Sequence, residues 1–556
     1  MADILIGIDV GGTFTDAVAV RDGEVLATAK VPTQPNALER SLLGALDQVM
    51  RGIAPGDVTR VSFSTTLITN LLAQGLLPDV ALLLIPGPGC DPAMYHLPGR
   101  AWIVGGAVDF RGREIDAIDL EEVDAALEAT YDTGFRRLAV VGKFSSRNPL
   151  HERQIVARAL RLHSDWHVVA GHTVSGQLNF PRRAAATAFT LAVEEPYRAF
   201  FTHLCEALSA RGLTCPIVIL KGDGGTLPLA AAERLPLQSI FSGPAASVLG
   251  ALALRPKGAT SVVVDVGGTT TDLALILDGE PLLASRGAVL DGMALPVRAF
   301  ATRSLPVGGD DVAVLGDGKV LLRPVRLGMA ACLGGSEPTL TDALRYLGET
   351  QVGDAEAARL ALEKLGPPAE VANVLVEQAL SRIESGIEAM FEAWQKEPVY
   401  RLWELRQKGE RRPDVLVGVG AGASSLVPRL AQRLGARVLI PSYAPVANAL
   451  GAAVARPTYT TTVHIDTERR TLAVAETGVV EPLAAGRLTL DGACVLARDR
   501  MARRGAELGL ESMAEDVVEV LAEQFNVVEG WGTVGQIFDI HLERRCGLVK
   551  EWKLET

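Results

Sequence analysis

The sequence predicts an α/β protein built from two repeating halves, with a small α/β appendage at the C-terminal end. Three observations carry this. The pattern D-V-G-G-T-x-T-D stands at Asp9–Asp16 and again at Asp265–Asp272, matching at seven of eight positions. Apolar β-branched runs alternate with helical stretches around both copies, the mark of layered α/β folds with parallel strands. Aromatic residues make up only 5% of the chain against 48% hydrophobic in total, so Ala, Val and Leu do the packing, as in buried parallel sheets. With 556 residues the chain is long enough for roughly three to four domains. The expected boundaries are 1–180, 181–458 and 459–556.

The elements follow in order. Each copy of the repeat is flanked by apolar runs (ILIGIDV and AVAV; TSVVVDV and LALI), which reads as strand, tight Gly turn, strand. A helix is expected over 37–53, a strand running into a helix over 61–75, and a buried strand over 80–86. Another strand is expected within 135–146, a helix after Pro149, and a long helix within 177–212. PIVILKGDGG (216–225) reads as a strand ending in a Gly turn, and Ser242-Gly243-Pro244 as a helix start with Pro near the first position. Residues 414–455 give an apolar strand ending in Gly418, Gly420 and Gly422, with a helix beginning near Ser424 or Ser425 as N-cap. The tail predicts short strands over 460–478, an amphipathic helix over 490–510, and a further helix followed by strands over 514–549.

The repeat has a chemical reading. Gly11, Gly12, Gly267 and Gly268 let the backbone approach a bulky anion, and successive N–H groups in such a turn form an anion-binding concavity. Thr13, Thr15, Thr269, Thr270 and Thr271 add hydroxyl donors. Asp9 and Asp265 are unsuited to touching phosphate directly but suit a hydrated Mg²⁺ between carboxylate and phosphate. Two such hairpins facing each other would grip a polyphosphate from both sides. Asp9, Asp265, Thr13 and Thr269 form the expected catalytic set, with Asp9 and Asp265 reaching the metal through water. Asp16 and Asp272, one step beyond the tips, are expected among the cofactor-binding residues, either bracing the loops through the turn amides or acting directly in catalysis. Gly308, Gly309 and Asp310 are expected to line the cleft. Gly420, Gly422 and Ser424 are expected at the base site, and Thr66, Thr69 and Asn70 on the substrate side or as a polar helix cap.

Other polar groups read as structural. His151 and Glu152 are expected in a solvated first helical turn, and Lys221 and Asp223 in a tight loop. His172 and His464 look isolated, and no His/Cys cluster has metal spacing. The net charge of −12 and the lack of a Lys/Arg cluster argue against a nucleic-acid partner. Asp3, Asp9 and Asp16 interrupt the N-terminal region, which fits neither signal peptide nor membrane span. The six cysteines (Cys90, Cys205, Cys215, Cys332, Cys494, Cys546) form no C-x-x-C, so a reduced, cytoplasmic protein is expected.

Two such hairpins and a later Gly-rich strand–helix turn resemble the actin-like (ribonuclease H-like) ATPase superfamily of sugar kinases and heat-shock chaperones, which implies two duplicated domains around a nucleotide cleft. More closely, the chain resembles the ATP-binding, hydantoinase A-like subunit of the hydantoinase/oxoprolinase family. The matching segments are IGIDVGGTFTDAVAV, STTLITNLLAQG, FSSRNPLHER, KGDGG, SGPAASVLG, VVDVGGTTTDLALI and PSYAPVANALGAA, in the family's order over roughly residues 4–455. The chain departs from the family at Phe63-Ser64-Thr65-Thr66, where His-Gly-Thr-Thr is usual, at LPVGGDDVAVL, and at Gly420-Ala421-Gly422-Ala423-Ser424.

The resemblance implies an ATP-dependent amidohydrolase acting on carbon–nitrogen bonds of cyclic amides such as hydantoin, oxoproline or a lactam. It further implies ATP and Mg²⁺ as cofactors and a hydantoinase B-like partner subunit in a hetero-oligomer. Three alternatives stay open: a carboxylase subunit acting on a ketone (acetone or acetophenone), a non-catalytic ATPase that switches a partner protein, and a small-molecule kinase using Asp223 or Asp310 as base.

Overall fold

A computed structural model describes residues 3–34, 37–254, 260–397, 412–510, 516–549 and 552. Its first sheet is centred on strand Ile4–Val10. That strand pairs antiparallel with Phe14–Arg21, which pairs with Glu24–Pro32, and parallel with Val58–Thr65 on its other side. Ile217–Leu220 adds in parallel beyond Val58–Thr65. The second sheet repeats this connectivity around Ser261–Val266: antiparallel to Thr271–Leu277, parallel to Val415–Val419, then Arg437–Leu439. The registers also repeat, with Asp9 opposite Asp16 in one hairpin and Asp265 opposite Asp272 in the other.

Ile6, Ile8 and Val10 are buried on one face and Gly7 and Asp9 on the other, as are Val262, Val264 and Val266 on one face and Val263 on the other. Burial on both faces explains why these strands read as continuous apolar runs rather than as alternating patterns. Each such Ile or Val side chain contributes about 1.5–3 kcal/mol relative to exposure.

Two small-residue helices, Ser242–Ala253 and Ala447–Val454, pack against each other between the sheets. Their contact is backbone on backbone. A Cβ on Gly250 would lie 2.1 Å from the Ala447 carbonyl oxygen, and one on Gly451 would lie 2.1 Å from that of Ala246. A Cβ on Gly7 would lie 2.0 Å from the Ala449 carbonyl oxygen, so the second helix also presses directly on the strand that ends in Asp9–Val10.

A four-stranded, all-parallel sheet (His167–Ala170, Arg137–Gly142, Ala81–Ile85, Arg100–Ile103) lies in the chain between Val58–Thr65 and Ile217–Leu220. The first sheet therefore draws strands from both sides of residue 180. Helix Phe180–Ser209 joins the two: Phe180, Ala184 and Leu191 belong to the core of the four-stranded sheet, and Phe189, Val193 and Tyr197 to that of the first.

The C-terminal sheet is antiparallel, in the order Val479–Pro482, Thr471–Val474, Tyr459–Asp466, Gly532–Arg544, Val517–Glu529, with helix Leu490–Glu507 packed on it. Arg111 ties it to the body, bonding Asp466 at 2.6 Å and Glu468 at 2.7 Å. One expectation is corrected here. The helix foreseen at the start of 514–549 is strand Val517–Glu529, paired along its length with Gly532–Arg544. The segment LAEQF favours a helix locally, but β-branched neighbours and the turn at Gly530 (φ +61°) commit it to the hairpin. Among the described residues, no helix is long and apolar enough to cross a membrane.

Candidate functional site

The two hairpin tips are built alike. The Gly11 amide donates to the Phe14 carbonyl at 3.1 Å, and the Gly267 amide to that of Thr270 at 2.9 Å. They also meet, since a Cβ on Gly268 would stand 3.3 Å from Thr13 Oγ1. Thr269 is exposed on its tip, while Thr13 and Thr270 are half-buried on theirs. The loop after strand Thr302–Leu305 backs the second tip: the Gly309 amide donates to Gly267 at 3.0 Å and the Asp310 amide to Gly268 at 2.6 Å. Gly308 has no room for a side chain, because a Cβ would lie 2.3 Å from the Gly268 carbonyl oxygen. Asp310 pairs with Arg326 at 3.1 Å.

The third Gly-rich turn arrives at the same place. The Gly422 amide donates to the Val266 carbonyl at 3.0 Å, and a Cβ on Gly420 would lie 2.3 Å from Asp265 Oδ1. Helix Ala423–Leu434 is preceded by Gly422 as N-cap, with no side-chain capping bond. The cap expected from Ser424 or Ser425 is therefore corrected: both lie inside the first turn, Ser424 exposed and Ser425 buried. The backbone bond from Gly422 to Val266 starts the helix instead.

Asp9 is buried, and its carboxyl is pushed up to about 7, first by burial and then by the charges of Asp16 and Asp265, against the adjoining polar side chains of Ser64 and Asn448. Asp265 accepts from Ser247 Oγ at 2.5 Å and Asn448 Nδ2 at 3.1 Å. Asp272 is pushed up to about 6 by burial and by Asp265, with Ser304 opposing. Burial also raises Asp16, offset by Lys30 Nζ, 2.8 and 2.9 Å from its two oxygens. The bracing role foreseen for Asp16 and Asp272 is thus redirected. Their partners are Lys30 and Ser304, while the Gly11 and Gly267 amides close the turns themselves. Thr15 and Thr271 are fully buried, bonded to Thr33 Oγ1 at 2.9 Å and the Val307 carbonyl at 2.7 Å. They brace the hairpins and do not present their hydroxyls to a ligand.

Thr66, Thr69 and Asn70 sit beside the first hairpin, where strand Val58–Thr65 ends. Thr66 Oγ1 donates to the Val10 carbonyl at 3.2 Å and accepts from Asn70 Nδ2 at 3.2 Å; Thr69 Oγ1 donates to the Thr66 carbonyl at 2.9 Å. Ser242 clips this junction to the helix it begins, accepting from the Thr65 amide at 3.1 Å and donating to the Thr65 carbonyl at 3.0 Å.

Four polar residues of the centre escaped sequence reasoning: Ser64, Ser242, Ser247 and Asn448. A signal existed for the last two, since each is a lone polar residue in a run of small apolar ones, AASVLGALA and ANALGAAV.

Other readings are corrected by burial. His151 and Glu152 lie under the sheet, not in solvent. His151 Nε2 bonds Glu114 at 2.8 Å, and Glu152, fully buried, accepts from the Gly142 amide at 2.7 Å and from His172 Nδ1 at 2.5 Å. A buried carboxylate needs such partners. His172 and His464 are therefore not isolated, the latter bonding Asp539 at 2.7 Å. Lys221 and Asp223 form a buried ion pair at 3.1 Å.

Asp9 and Asp265 are the carboxylates of this centre that could hold a hydrated divalent cation. Among the described residues, no group of three or more His, Cys, Asp or Glu surrounds a metal directly. Two facing carboxylates and a backbone cradle that excludes even a Cβ at Gly420 match an ion that keeps most of its water.

The raised carboxyl of Asp9 has a consequence for stability. In the metal-free protein the folded state binds this proton more tightly than the unfolded chain, whose value is 3.8. Its contribution turns unfavourable as pH rises from there and reaches its full cost above about 7. Asp9→Asn is therefore expected to be more stable than the parent at pH 8 in EDTA, by on the order of 2 kcal/mol. The margin should shrink toward pH 4. Thermal melting at both pH values checks this, and equal melting at pH 8 would contradict it.

Comparison with known proteins agrees with the motifs. The hydantoinase/oxoprolinase N-terminal region model matches residues 5–163, and the hydantoinase/oxoprolinase model matches residues 183–461. The gamma subunit of acetophenone carboxylase from Aromatoleum aromaticum is 27% identical over 428 residues, 65% of this chain and 57% of that subunit. The alpha subunit of caprolactamase from Pseudomonas jessenii is 25% identical over 477 residues, 79% of this chain and 68% of that subunit. The chain thus spans 57% and 68% of the length of these two relatives. Among solved structures, nucleotide-free acetone carboxylase superposes with a TM-score of 0.72 at 17% identity, covering 100% of this chain and 89% of that one. ATP-dependent caprolactamase from Pseudomonas jessenii superposes with a TM-score of 0.67 at 20% identity, covering 97% and 87%. At these identities the superpositions establish a shared mixed α/β fold. Matched by family models along both halves, the chain belongs to the hydantoinase/oxoprolinase family.

Proposed function

We propose that this chain is the ATP-binding subunit of an ATP-dependent hydrolase that activates the carbonyl of a cyclic amide for ring opening. The observation that carries the reading is the convergence of two like hairpins and a third Gly-rich turn on Asp9 and Asp265. In this reading the halves foreseen as 1–180 and 181–458 are actin-like domains, the first of which also takes strand Ile217–Leu220 from beyond residue 180, 459–556 is an appendage, and the assembly is a cytoplasmic hetero-oligomer with a hydantoinase B-like partner.

The chemistry is phosphoryl transfer. The bond from the γ-phosphorus to the ADP oxygen breaks as the amide oxygen attacks, which leaves an imidate-like phosphate. Water then adds to the carbon, the carbon–nitrogen bond breaks as the nitrogen takes up a proton, which leaves an acyl phosphate, and a second water hydrolyses this to the ring-opened acid and inorganic phosphate. Magnesium, held through water by Asp9 and Asp265, would neutralise phosphate charge. Thr13, Thr269, Thr270 and the amides at Gly11, Gly12, Gly267 and Gly268 would hold the β- and γ-phosphates. The backbone at Gly308, Gly309, Gly420 and Gly422, with the exposed Ser424, would line the nucleotide. Thr66, Thr69 and Asn70 lie where the first hairpin opens and would meet the substrate.

A carboxylase reading stands second, favoured by the likeness to acetophenone carboxylase gamma subunit. One experiment separates the readings. The chain is incubated with ATP, Mg²⁺ and a panel of hydantoins, lactams and ketones, with and without bicarbonate and candidate partner subunits, and the products are weighed by mass spectrometry. A ring-opened acid formed with stoichiometric ADP is expected. A bicarbonate-dependent carboxylic acid from a ketone would replace hydrolysis with carboxylation. A stable phosphorylated product, or ATP turnover driven by a partner protein alone, would overturn both.

A further inference from the structure

The central helices bring one more residue to the two aspartates. Asn448 stands on helix Ala447–Val454, between the hairpins. Its side-chain Nδ2 donates to Asp265 Oδ2 at 3.1 Å, and the same side chain lies close enough to Asp9 to favour that carboxylate. The neighbouring hydroxyls serve one side each: Ser247 bonds Asp265 at 2.5 Å, and Ser64 borders Asp9 while donating to Ser242 at 3.4 Å. Asn448 donates to Asp265 and borders Asp9 from a helix packed on the first sheet, and so stands between the two halves where their charges meet.

Its position is fixed by the backbone on either side. The Ala447 carbonyl oxygen abuts Gly250 and the Ala449 carbonyl oxygen abuts Gly7, each where a Cβ would lie about 2 Å away. The residue between them cannot shift without moving a helix against the first sheet. An amide nitrogen carries two hydrogens, enough to serve two carboxylates. Without it, two like charges in a low-dielectric centre push apart.

We propose that Asn448 is a positioning residue for the divalent cation: it sets the spacing and aim of Asp9 and Asp265, so that carboxylates from two halves act as one site. The inference rests on the ATP–magnesium reading given above. Asn448 touches neither phosphate nor reacting atoms in this account, and it acts through the aspartates.

The test compares the parent chain with Asn448→Ala and Asn448→Ser, where the serine hydroxyl has one hydrogen to donate. ATP binding is measured by calorimetry across a Mg²⁺ titration and again in EDTA, and melting in EDTA reports on the fold. For Asn448→Ala, the Mg²⁺ needed for half-maximal ATP binding should rise about tenfold or more, the scale of one lost charge-assisted hydrogen bond. Binding in EDTA should stay within about twofold of the parent, and Asn448→Ser should fall between the two. An unchanged Mg²⁺ requirement in both variants, or an equal loss of binding with and without Mg²⁺, would overturn the role. A parent chain whose ATP binding ignores Mg²⁺ would overturn the underlying reading first, before any variant is compared.

Discussion

Asp9→Asn and Asp265→Asn each abolish Mg²⁺-dependent ATP turnover in this account, by at least about 100-fold. Asparagine keeps the shape of the side chain and, at position 265, an oxygen that accepts from Ser247. What it removes is the charge that would hold a hydrated cation against phosphate. The two variants should fail alike, because the hairpins match in register and in tip geometry. They should also fold: Asp9→Asn removes a buried carboxyl that burial and two neighbouring carboxylates already disfavour as an anion. Loss of activity with retained or increased stability is the signature of a strained functional group rather than of a structural one. Steady-state ATPase assays alongside thermal melts check this, and normal turnover in both variants would remove the two-hairpin clamp.

The second large effect belongs to the third Gly-rich turn. Gly420 has φ +83°, and a Cβ there would lie 2.3 Å from Asp265 Oδ1 and 2.7 Å from the Val266 carbonyl oxygen. A β-branched residue is disfavoured in this backbone region and would drive the turn off the second hairpin. Gly420→Val is expected to raise the Kd for ATP at least about 100-fold, since the turn and the metal-holding carboxylate move together. A helical glycine with open space around it, Gly44, provides the control: Gly44→Ala should bind as the parent does. Unchanged affinity in Gly420→Val would separate this turn from the nucleotide site.

The sequence made the site legible in one respect above others. A repeated octad with Asp at both ends defines the hairpin tip wherever it occurs, because the turn is local and its chemistry is carried by its own residues. The Gly-rich run at 418–422 was legible for the same reason. Long-range placement was not. Nothing in the string tells that Asn448 would reach Asp9, more than four hundred positions away, or that a separate parallel sheet would divide Val58–Thr65 from its neighbour Ile217–Leu220.

Burial was misjudged at His151 and Glu152 because a polar pair after a proline looks solvated until the sheet above it is known. At 517–529 local helix propensity lost to a cross-strand partner. Asp16 and Lys30 stand opposite each other in the strand register, a pairing that the hairpin itself would have revealed.

The central claim is that ATP and Mg²⁺ bind together where the two hairpins and the third turn converge. Calorimetric titration of ATP and ADP into the purified chain, first with Mg²⁺ and then with EDTA, tests it most directly. The account predicts micromolar binding that weakens sharply when the metal is removed. Absence of binding in both conditions, or binding that EDTA leaves unchanged, would contradict it.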